Sequence, residues 1–270
     1  GRAVFGVTAV APFAYLVSQT SWRSGWTVIG ALELAVLMPM IWLVVRRRPE
    51  DLGQLPDGDT PRPHTPATLL AEPEWTRKQA MRTKAFWFMV LGFAFVGFPT
   101  SGMIANMLPY FSDEGLSLEA ASVVFAFGAL MGRPIWGLVS TRLGIHPALT
   151  LYAVVYGLAI ASMVLAFNSF SLFIAAFFVG VPTGGAAQLQ AQAWPDFFGR
   201  RSVGAITGIS TLIIMPSIAI GPLLAAVAFD LMGSYNFIFL AYAAGAMVSS
   251  VFFYLAKRPS PSPSVTSTFG

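Results

Sequence analysis

The sequence has no cysteine, only two histidines and very little charge. Asp, Glu, Lys and Arg together make up 10% of its 270 residues, whereas a soluble globular domain carries about 25%. Because so few charges cannot cover a water-exposed surface of this size, lipid is the natural solvent of the chain. The absence of cysteine excludes disulfides and thiolate metal sites. His64 and His146 have no partner at ligand spacing, so we expect no metal site.

The signatures of common enzymes are also missing. The sequence has no Gly-x-Ser-x-Gly nucleophile elbow, no His-Glu-x-x-His zinc motif and no glycine-rich phosphate loop. The net charge of +4 does not indicate nucleic acid, because the basic residues lie in short loops between apolar runs. We therefore expect no enzymatic activity, no cofactor and no nucleic-acid partner.

Long apolar runs dominate the chain. A helix needs about 20 apolar residues to cross the hydrocarbon core of a bilayer. Because no water is available there to satisfy backbone groups, each run is predicted to be a helix, and the fold class to be an all-α membrane protein. Eight runs qualify: Ala3–Ser18, Gly25–Val45, Phe86–Phe111, Leu116–Ser140, Pro147–Phe167, Phe170–Ala193, Val203–Phe229 and Asn236–Ala256.

The polar segment Arg46–Lys84 separates two runs from the six that follow. It carries eight of the sixteen basic residues, and its six prolines exclude a continuous helix, although Glu74–Lys84 is predicted to form a short amphipathic helix on the membrane surface. Because Lys and Arg near spans resist translocation, this segment is predicted to be cytoplasmic, together with both chain ends. That orientation places fourteen of the sixteen basic residues inside.

These features predict four parts. Residues 1–45 would form two transmembrane helices, residues 46–84 a cytoplasmic loop, residues 85–257 a six-helix transmembrane bundle, and residues 258–270 a disordered cytoplasmic tail. The lipid bilayer is the first predicted partner of the chain.

Glycines and prolines inside the runs predict how the helices pack. Glycines four residues apart let two membrane helices approach closely, either as static contacts or as sliding contacts in a rocking bundle. Three such pairs occur: Gly128 with Gly132, Gly180 with Gly184, and Gly204 with Gly208. Prolines and glycines are also predicted to weaken internally the helices that begin at Phe86 and Val203. Interrupted spans of this kind are typical of transporter sites, although both residues are also common in ordinary membrane helices.

Two charged residues lie deep within predicted spans. Arg133 is seven residues from the inner end of its span, or roughly 10 Å deep. It should face a polar cavity, where its planar guanidinium suits a carboxylate, or else snorkel to the interface or pair within the protein. Glu33, as an unpaired carboxylate, would be a proton site; the alternative is a structural group satisfied by a neighbouring helix.

Polar uncharged residues provide further candidates for lining a cavity. They are Asn106, Tyr110, Gln188 and Gln192, of which the two glutamines are one helical turn apart and share a face. The alternative for each is a hydrogen bond between helices.

Residues 132–144, from Gly132-Arg133-Pro134 to Gly144, resemble the end of helix 8 and the following loop in the major facilitator superfamily. Gly137, Arg142 and Gly144 match its loop pattern, in which Thr141 replaces an Asp. Residues 46–58, residues 108–110 with 114–117, and residues 197–201 resemble the bacterial branch related to monocarboxylate transporters and oxalate–formate antiporters. The resemblance implies a twelve-helix fold of two six-helix halves. This chain would hold the last two helices of the N-terminal bundle and the whole C-terminal bundle, with helices 1–4 missing.

The same resemblance implies roles for individual residues. Arg133 is similar to the helix 8 Arg that contacts the substrate carboxylate in monocarboxylate transporters. Those transporters use an Asp one turn earlier in proton coupling, whereas this chain has Ala129 there. Oxalate–formate antiporters add a Lys in helix 11, which is absent between residues 203 and 229. Gly137, Arg142 and Gly144 would shape the inner gate.

The expected function is secondary active transport by alternating access. The substrate would be a small organic anion, with a monocarboxylate favoured, and its movement would be coupled to a proton or a counter-anion. The expected location is the bacterial inner membrane. Two alternatives stay open at this point: a non-transporting sensor or receptor built on the same fold, and a channel.

Overall fold

A computed structural model describes residues 21–44, 75–199 and 202–259, which contain eight helices and no strand. Seven of these helices are long and apolar enough to cross a membrane, and α2 is the exception. The expected all-α membrane fold is confirmed. The helices are α1 (Trp22–Val44), α2 (Arg77–Met81), α3 (Lys84–Asp113), α4 (Leu118–Leu143), α5 (Ile145–Val164), α6 (Ser169–Phe198), α7 (Val203–Met232) and α8 (Asn236–Leu255).

Some sequence expectations fall outside these ranges. The first expected span, Ala3–Ser18, and residues 46–74 of the polar segment are not among the described residues, and neither is the tail from residue 260. The amphipathic helix expected over Glu74–Lys84 is shorter than predicted. Its helical part is the five-residue α2.

Polar caps set the start of three of the long helices. The side chains of Thr83, Ser117 and Asn168 each accept a hydrogen bond from the backbone N–H three residues later, and so begin α3, α4 and α6. Helices α3, α6 and α7 contain 30 residues each, or about 45 Å. Their ends therefore extend beyond a hydrocarbon core of about 30 Å.

Helix α1 belongs to a separate compact unit, residues 1–71, and is considered by itself. Most of its described side chains are exposed, including Trp26 and Trp42 near its two ends. Glu33 lies near the middle of α1 and is exposed as well. The role of Glu33 as a proton site stays a prediction.

Helices α3 to α8 form a bundle within the second unit. Helix α4 packs mainly on α6, α3 on α7 and α8, and α5 on α8 and α6. One cavity collects the C-terminal ends of α4 and α6 and the start of α5. Another collects the C-terminal ends of α3 and α5 and the starts of α6 and α8. Successive helices therefore run in opposite directions, as their short connections require.

Charge distinguishes the two ends of this bundle. Arg142, Lys257 and Arg258 lie at the first set of helix ends, which we call the basic end. Asp113 and Glu114 lie at the opposite, acidic end. Burial, and then the negative charges of Asp113 and Asp230, raise the pKa of the Tyr235 phenol in the loop between α7 and α8.

Glycines bring α4 and α6 into backbone contact. A Cβ added at Gly132 would collide with the carbonyl oxygen of Val181, and one at Gly184 with that of Ala129. Gly128 and Gly180 make the equivalent contacts one turn away. The predicted close approach is confirmed for these two pairs. It is wrong for Gly204 and Gly208, because no described atom lies within 4 Å of a Cβ built at either position.

Helices α3 and α7 are continuous through the prolines and glycines predicted to weaken them. Pro222 has no N–H, so it cannot bond to the carbonyl of Ile218 four residues earlier. The Ser101 hydroxyl on α3 instead donates to that carbonyl at 2.6 Å. A neighbouring helix thus satisfies the backbone group that proline leaves unpaired, which lets the helix continue through lipid.

Candidate functional site

Arg133 lies near the middle of α4. The helix ends ten residues later, at Leu143, which places Arg133 about 15 Å from its basic end. This is deeper than the sequence indicated, because α4 continues three residues beyond Ser140. The side chain is half-buried, and no hydrogen bond or ion pair joins its guanidinium to any residue in the described part of the chain.

Gln188 on α6 lies against α4 at Gly137. Gly137 follows Arg133 by one turn on the same side of α4. A Cβ added at Gly137 would lie 2.9 Å from the Nε2 atom of Gln188 on α6. The structure therefore brings Arg133, Gly137 and Gln188 into one neighbourhood. Gly137 makes room there for the Gln188 amide, and its role in a gate stays a prediction.

The other predicted lining residues lie in different places. The Nδ2 atom of Asn106 donates to the Gly102 carbonyl of its own helix at 2.9 Å. Tyr110 is buried against Phe239, and its hydroxyl donates to the Met163 carbonyl on α5 at 3.2 Å. This tyrosine lines a cavity of about 340 Å³ at the acidic end.

Gln192 lines a second cavity, of about 590 Å³, at the basic end. Contributions of Asn106, Tyr110 and Gln192 to substrate binding stay predictions. Arg142, one of the predicted gate residues, lies in the last turn of α4, where it is exposed and bonds to no described residue.

The basic-end cavity contains an ion pair that the sequence did not indicate. The Nε atom of Arg258 donates to Oδ2 of Asp196 at 3.0 Å, and Nη2 contacts the same oxygen. The pair joins the end of α6 to the segment after α8, positions 62 residues apart. Gly144 lies in the same wall with a φ of 82°, a conformation that favours glycine and permits the sharp turn into α5.

A third cavity, of about 210 Å³, lies between α3, α5, α6 and α7, and we call it the central cavity. Most of its lining is apolar, and its four polar residues are Thr100, Ser101, Tyr152 and Gln190. No residue of α4 lines it, so Arg133 does not contribute to its wall. Sequence reasoning missed this cavity. The adjacent Thr100 and Ser101 within an apolar run were the available signal.

Three buried polar groups lie behind this cavity. The hydroxyls of Tyr152 and Tyr156 are within reach of the Thr100 hydroxyl, and the indole nitrogen of Trp136 has no hydrogen-bond partner in the described ranges. The Tyr152 ring lies edge-on to Trp136 with centroids 5.4 Å apart and stacks on Tyr156 at 6.1 Å.

Comparison with known proteins identifies the family to which this sequence is similar. The sequence model of the Major Facilitator Superfamily matches residues 3–171 and 120–270, which overlap and together cover nearly the whole chain. Monocarboxylate transporter 2 of Homo sapiens is 23% identical over 276 residues, covering 95% of this chain and 57% of the human protein. Its counterpart in Mesocricetus auratus is 22% identical over 274 residues, covering 95% of this chain and 56% of that protein.

The chain thus spans little more than half the length of these relatives. The six-helix bundle, the apolar spans and the nearly complete match agree with one another. The chain belongs to the major facilitator superfamily.

Proposed function

We propose that this chain carries half of the substrate site of a secondary active transporter for a small organic anion, with a monocarboxylate as the favoured substrate. The single observation behind the proposal is Arg133. A guanidinium at mid-membrane depth costs several kcal/mol or more unless it is paired or faces a polar cavity. Because no described residue pairs with it, a substrate carboxylate is the partner that best suits its planar, two-pronged donor.

Transport would follow the alternating-access scheme. Two six-helix bundles rock about a site near the bilayer midplane, and helices preceding this chain would supply the other half of the site. The basic end would face the cytoplasm of a bacterium, because Lys and Arg near spans favour that side. Either a proton, with Glu33 as a candidate carrier, or a counter-anion would be coupled to the substrate.

The test is Arg133→Lys in the complete natural protein, reconstituted in vesicles and supplied with labelled acetate or butanoate. Lysine keeps the charge but loses the two-pronged geometry, so KM should rise about tenfold or more, which corresponds to one strong charged hydrogen bond. Arg82→Lys serves as the control, because Arg82 is exposed beyond the end of α2.

An unchanged KM in Arg133→Lys would contradict the role assigned to Arg133. The same vesicles distinguish the alternative functions. Saturable uptake with counterflow requires a carrier and excludes a channel. Binding of the acid without net flux would indicate a sensor.

A further inference from the structure

We propose that the turn from α2 into α3 binds the headgroup of an anionic diacyl phospholipid, and that an acyl chain of this lipid lies along the exposed apolar side of α3. The site shares no residue with the three cavities described above and does not involve Arg133. It is carried by charge and burial at the basic end of the bundle.

Helix α2 is held against the bundle, although it contains only five residues. Ala80 is fully buried, and the Trp75 ring packs edge-on against Phe198 at the end of α6 with centroids 6.1 Å apart. From α3, the Trp87 indole N–H donates to the Met81 carbonyl at 2.9 Å. Side chains on α2 and on the turn that follows it therefore have a defined place on the surface of the bundle.

Four cations lie on this turn, which we call the cationic turn: Arg77, Lys78, Arg82 and Lys84. All four are exposed, and none forms a hydrogen bond or ion pair through its side chain in the described part of the chain. Arg77 and Lys84 are the first residues of α2 and α3, where the helix dipole disfavours positive charge. Lys78 and Arg82 are one turn apart and repel each other. A bound anion would relieve these repulsions.

A fifth cation comes from the end of α8. Helices α3 and α8 run in opposite directions, and Phe88 stacks on Phe252 with ring centroids 6.3 Å apart. Lys84 precedes Phe88 by one turn, and Lys257 follows Phe252 by little more than one turn. Both lysines therefore lie on the basic-end side of this contact. Lys257 is also exposed, and its side chain bonds to no residue among those described.

An apolar surface begins directly at the cationic turn. Trp87, Leu91 and Phe95 are exposed and follow one another at intervals of four residues, so they share one side of α3. They extend over about 12 Å from the turn toward the middle of the membrane. Phe252 on α8 widens this surface, since its ring centroid lies 5.4 Å from that of Phe95. Trp87, at the upper end, has the interfacial position that tryptophan favours in membrane proteins.

An anionic phospholipid matches both parts of this surface. Its phosphate accepts charged hydrogen bonds from lysine and arginine, and its acyl chain covers the apolar side of α3. A free phosphate would satisfy the cations alone. A zwitterionic lipid would bring its own positive group to a turn that already carries unpaired cations. The attraction between a basic segment and anionic lipids grows with each Lys or Arg near the surface.

The experiment uses the complete natural protein in dodecyl maltoside and two phospholipids with brominated acyl chains, phosphatidylglycerol and phosphatidylcholine. Bromine quenches tryptophan fluorescence on contact, so the quenching that Trp87→Phe removes reports lipid on this side of α3. We expect phosphatidylglycerol to bind there about tenfold or more tightly than phosphatidylcholine. Lys78→Gln and Lys84→Gln should each weaken its binding about fivefold, the effect of one cation near anionic lipid.

Arg142→Gln is the matched control, because it removes one exposed cation from the same end of the bundle. Arg142 belongs to α4, which packs mainly on α6 and not on α3 or α8. This variant should keep the preference for phosphatidylglycerol. Lys78→Arg and Lys84→Arg conserve the charge and should keep it as well.

Equal binding of the two lipids by the wild type overturns the proposal. Equal weakening in Arg142→Gln overturns it too, since the general charge of the basic end then suffices. Displacement of phosphatidylglycerol by millimolar glycerol phosphate would assign the cations to a free phosphate and not to a lipid. Melting temperatures identify any variant that fails to fold. Lys257→Gln, which lies outside every helix, then provides the same test with the same expected weakening.

Discussion

At the scale of single residues, one serine hydroxyl satisfies a backbone carbonyl that a proline on another helix leaves without a hydrogen bond. Pro222 leaves the Ile218 carbonyl without its helical N–H, and Ser101 reaches across from α3 to bond with it at 2.6 Å. Gly221 permits this approach, because a Cβ there would collide with the Phe98 carbonyl and with the Ser101 hydroxyl. Serine, proline and glycine therefore act as one unit, and their contributions to stability should not be additive.

Ser101→Ala should destabilise the protein by about 1–3 kcal/mol, because it leaves the Ile218 carbonyl unsatisfied. Adding Pro222→Ala restores the N–H within α7, so the double variant should recover most of that loss. Thermal unfolding in detergent measures both effects. Ser217→Ala is the control, since the Ser217 hydroxyl bonds only to Ile214 on its own helix. A double variant no more stable than Ser101→Ala would contradict the compensation.

The same scale shows why only part of the site could be predicted from the sequence. Arg133 is conspicuous because a charge within an apolar run is costly wherever it points. Tyr152 is not conspicuous, since a single tyrosine is common in membrane helices. Its place in the wall of the central cavity follows from contacts between different helices. The ion pair of Asp196 with Arg258 was hidden for the same reason.

At the scale of helices, glycine spacing predicts a close contact but does not predict which helix, if any, makes it. Gly128 and Gly132 on α4 interlock with Gly180 and Gly184 on α6, so that each helix places its backbone against the other. The pair on α7 has the same spacing and meets nothing in the described parts of the chain. The difference arises from bundle geometry, in which α4 packs on α6 over its length while the α7 glycines point away from α3 and α8.

Gly132→Ala should therefore destabilise the bundle by about 1–3 kcal/mol, the usual cost of overpacking, because the new Cβ would collide with a backbone oxygen that cannot move alone. Gly208→Ala, with the same spacing but open space, should be neutral or stabilising by up to about 1 kcal/mol through its better helix propensity. Melting temperatures of the two variants in the same detergent provide the comparison. Equal destabilisation would mean that α7 contacts another surface at Gly208.

The first and last residues of the helices were predicted less well than their positions in the chain. The apolar runs located every described span, because hydropathy reports the length that lies in lipid. They did not locate the ends, because Thr83, Ser117 and Asn168 begin their helices through side-chain caps in polar sequence. The end of α4 matters for function, since its continuation from Ser140 to Leu143 places Arg133 deeper than the apolar run alone suggested.

At the scale of the whole bundle, the charges define two chemically different ends. Among the residues that the structure describes, the cations at the basic end include Arg142, Lys257 and Arg258, and the carboxylates of Asp113 and Glu114 lie at the other. Asp196 is the exception, and it is neutralised by Arg258. Such an asymmetry is what a chain inserted with its basic end in the cytoplasm should show.

The absence of cysteine makes this orientation directly measurable. Phe167→Cys places a single thiol at an exposed acidic-end position, and Thr141→Cys places one at an exposed basic-end position without removing a charge. A membrane-impermeant maleimide applied to intact cells should label Phe167→Cys. It should label Thr141→Cys only after the membrane is permeabilised. The unsubstituted protein controls for background labelling.

The reverse labelling pattern would place the basic end outside. Arg133 would then lie closer to the extracellular side, and the cavity near Asp196 and Arg258 would open outward. Labelling of both thiols in intact cells would mean that the impermeant maleimide reaches the basic end from outside the cell. The orientation thus decides from which side a carboxylate first reaches Arg133, and therefore whether the ion pair at the basic end stands at the entry or at the exit of the proposed transport path.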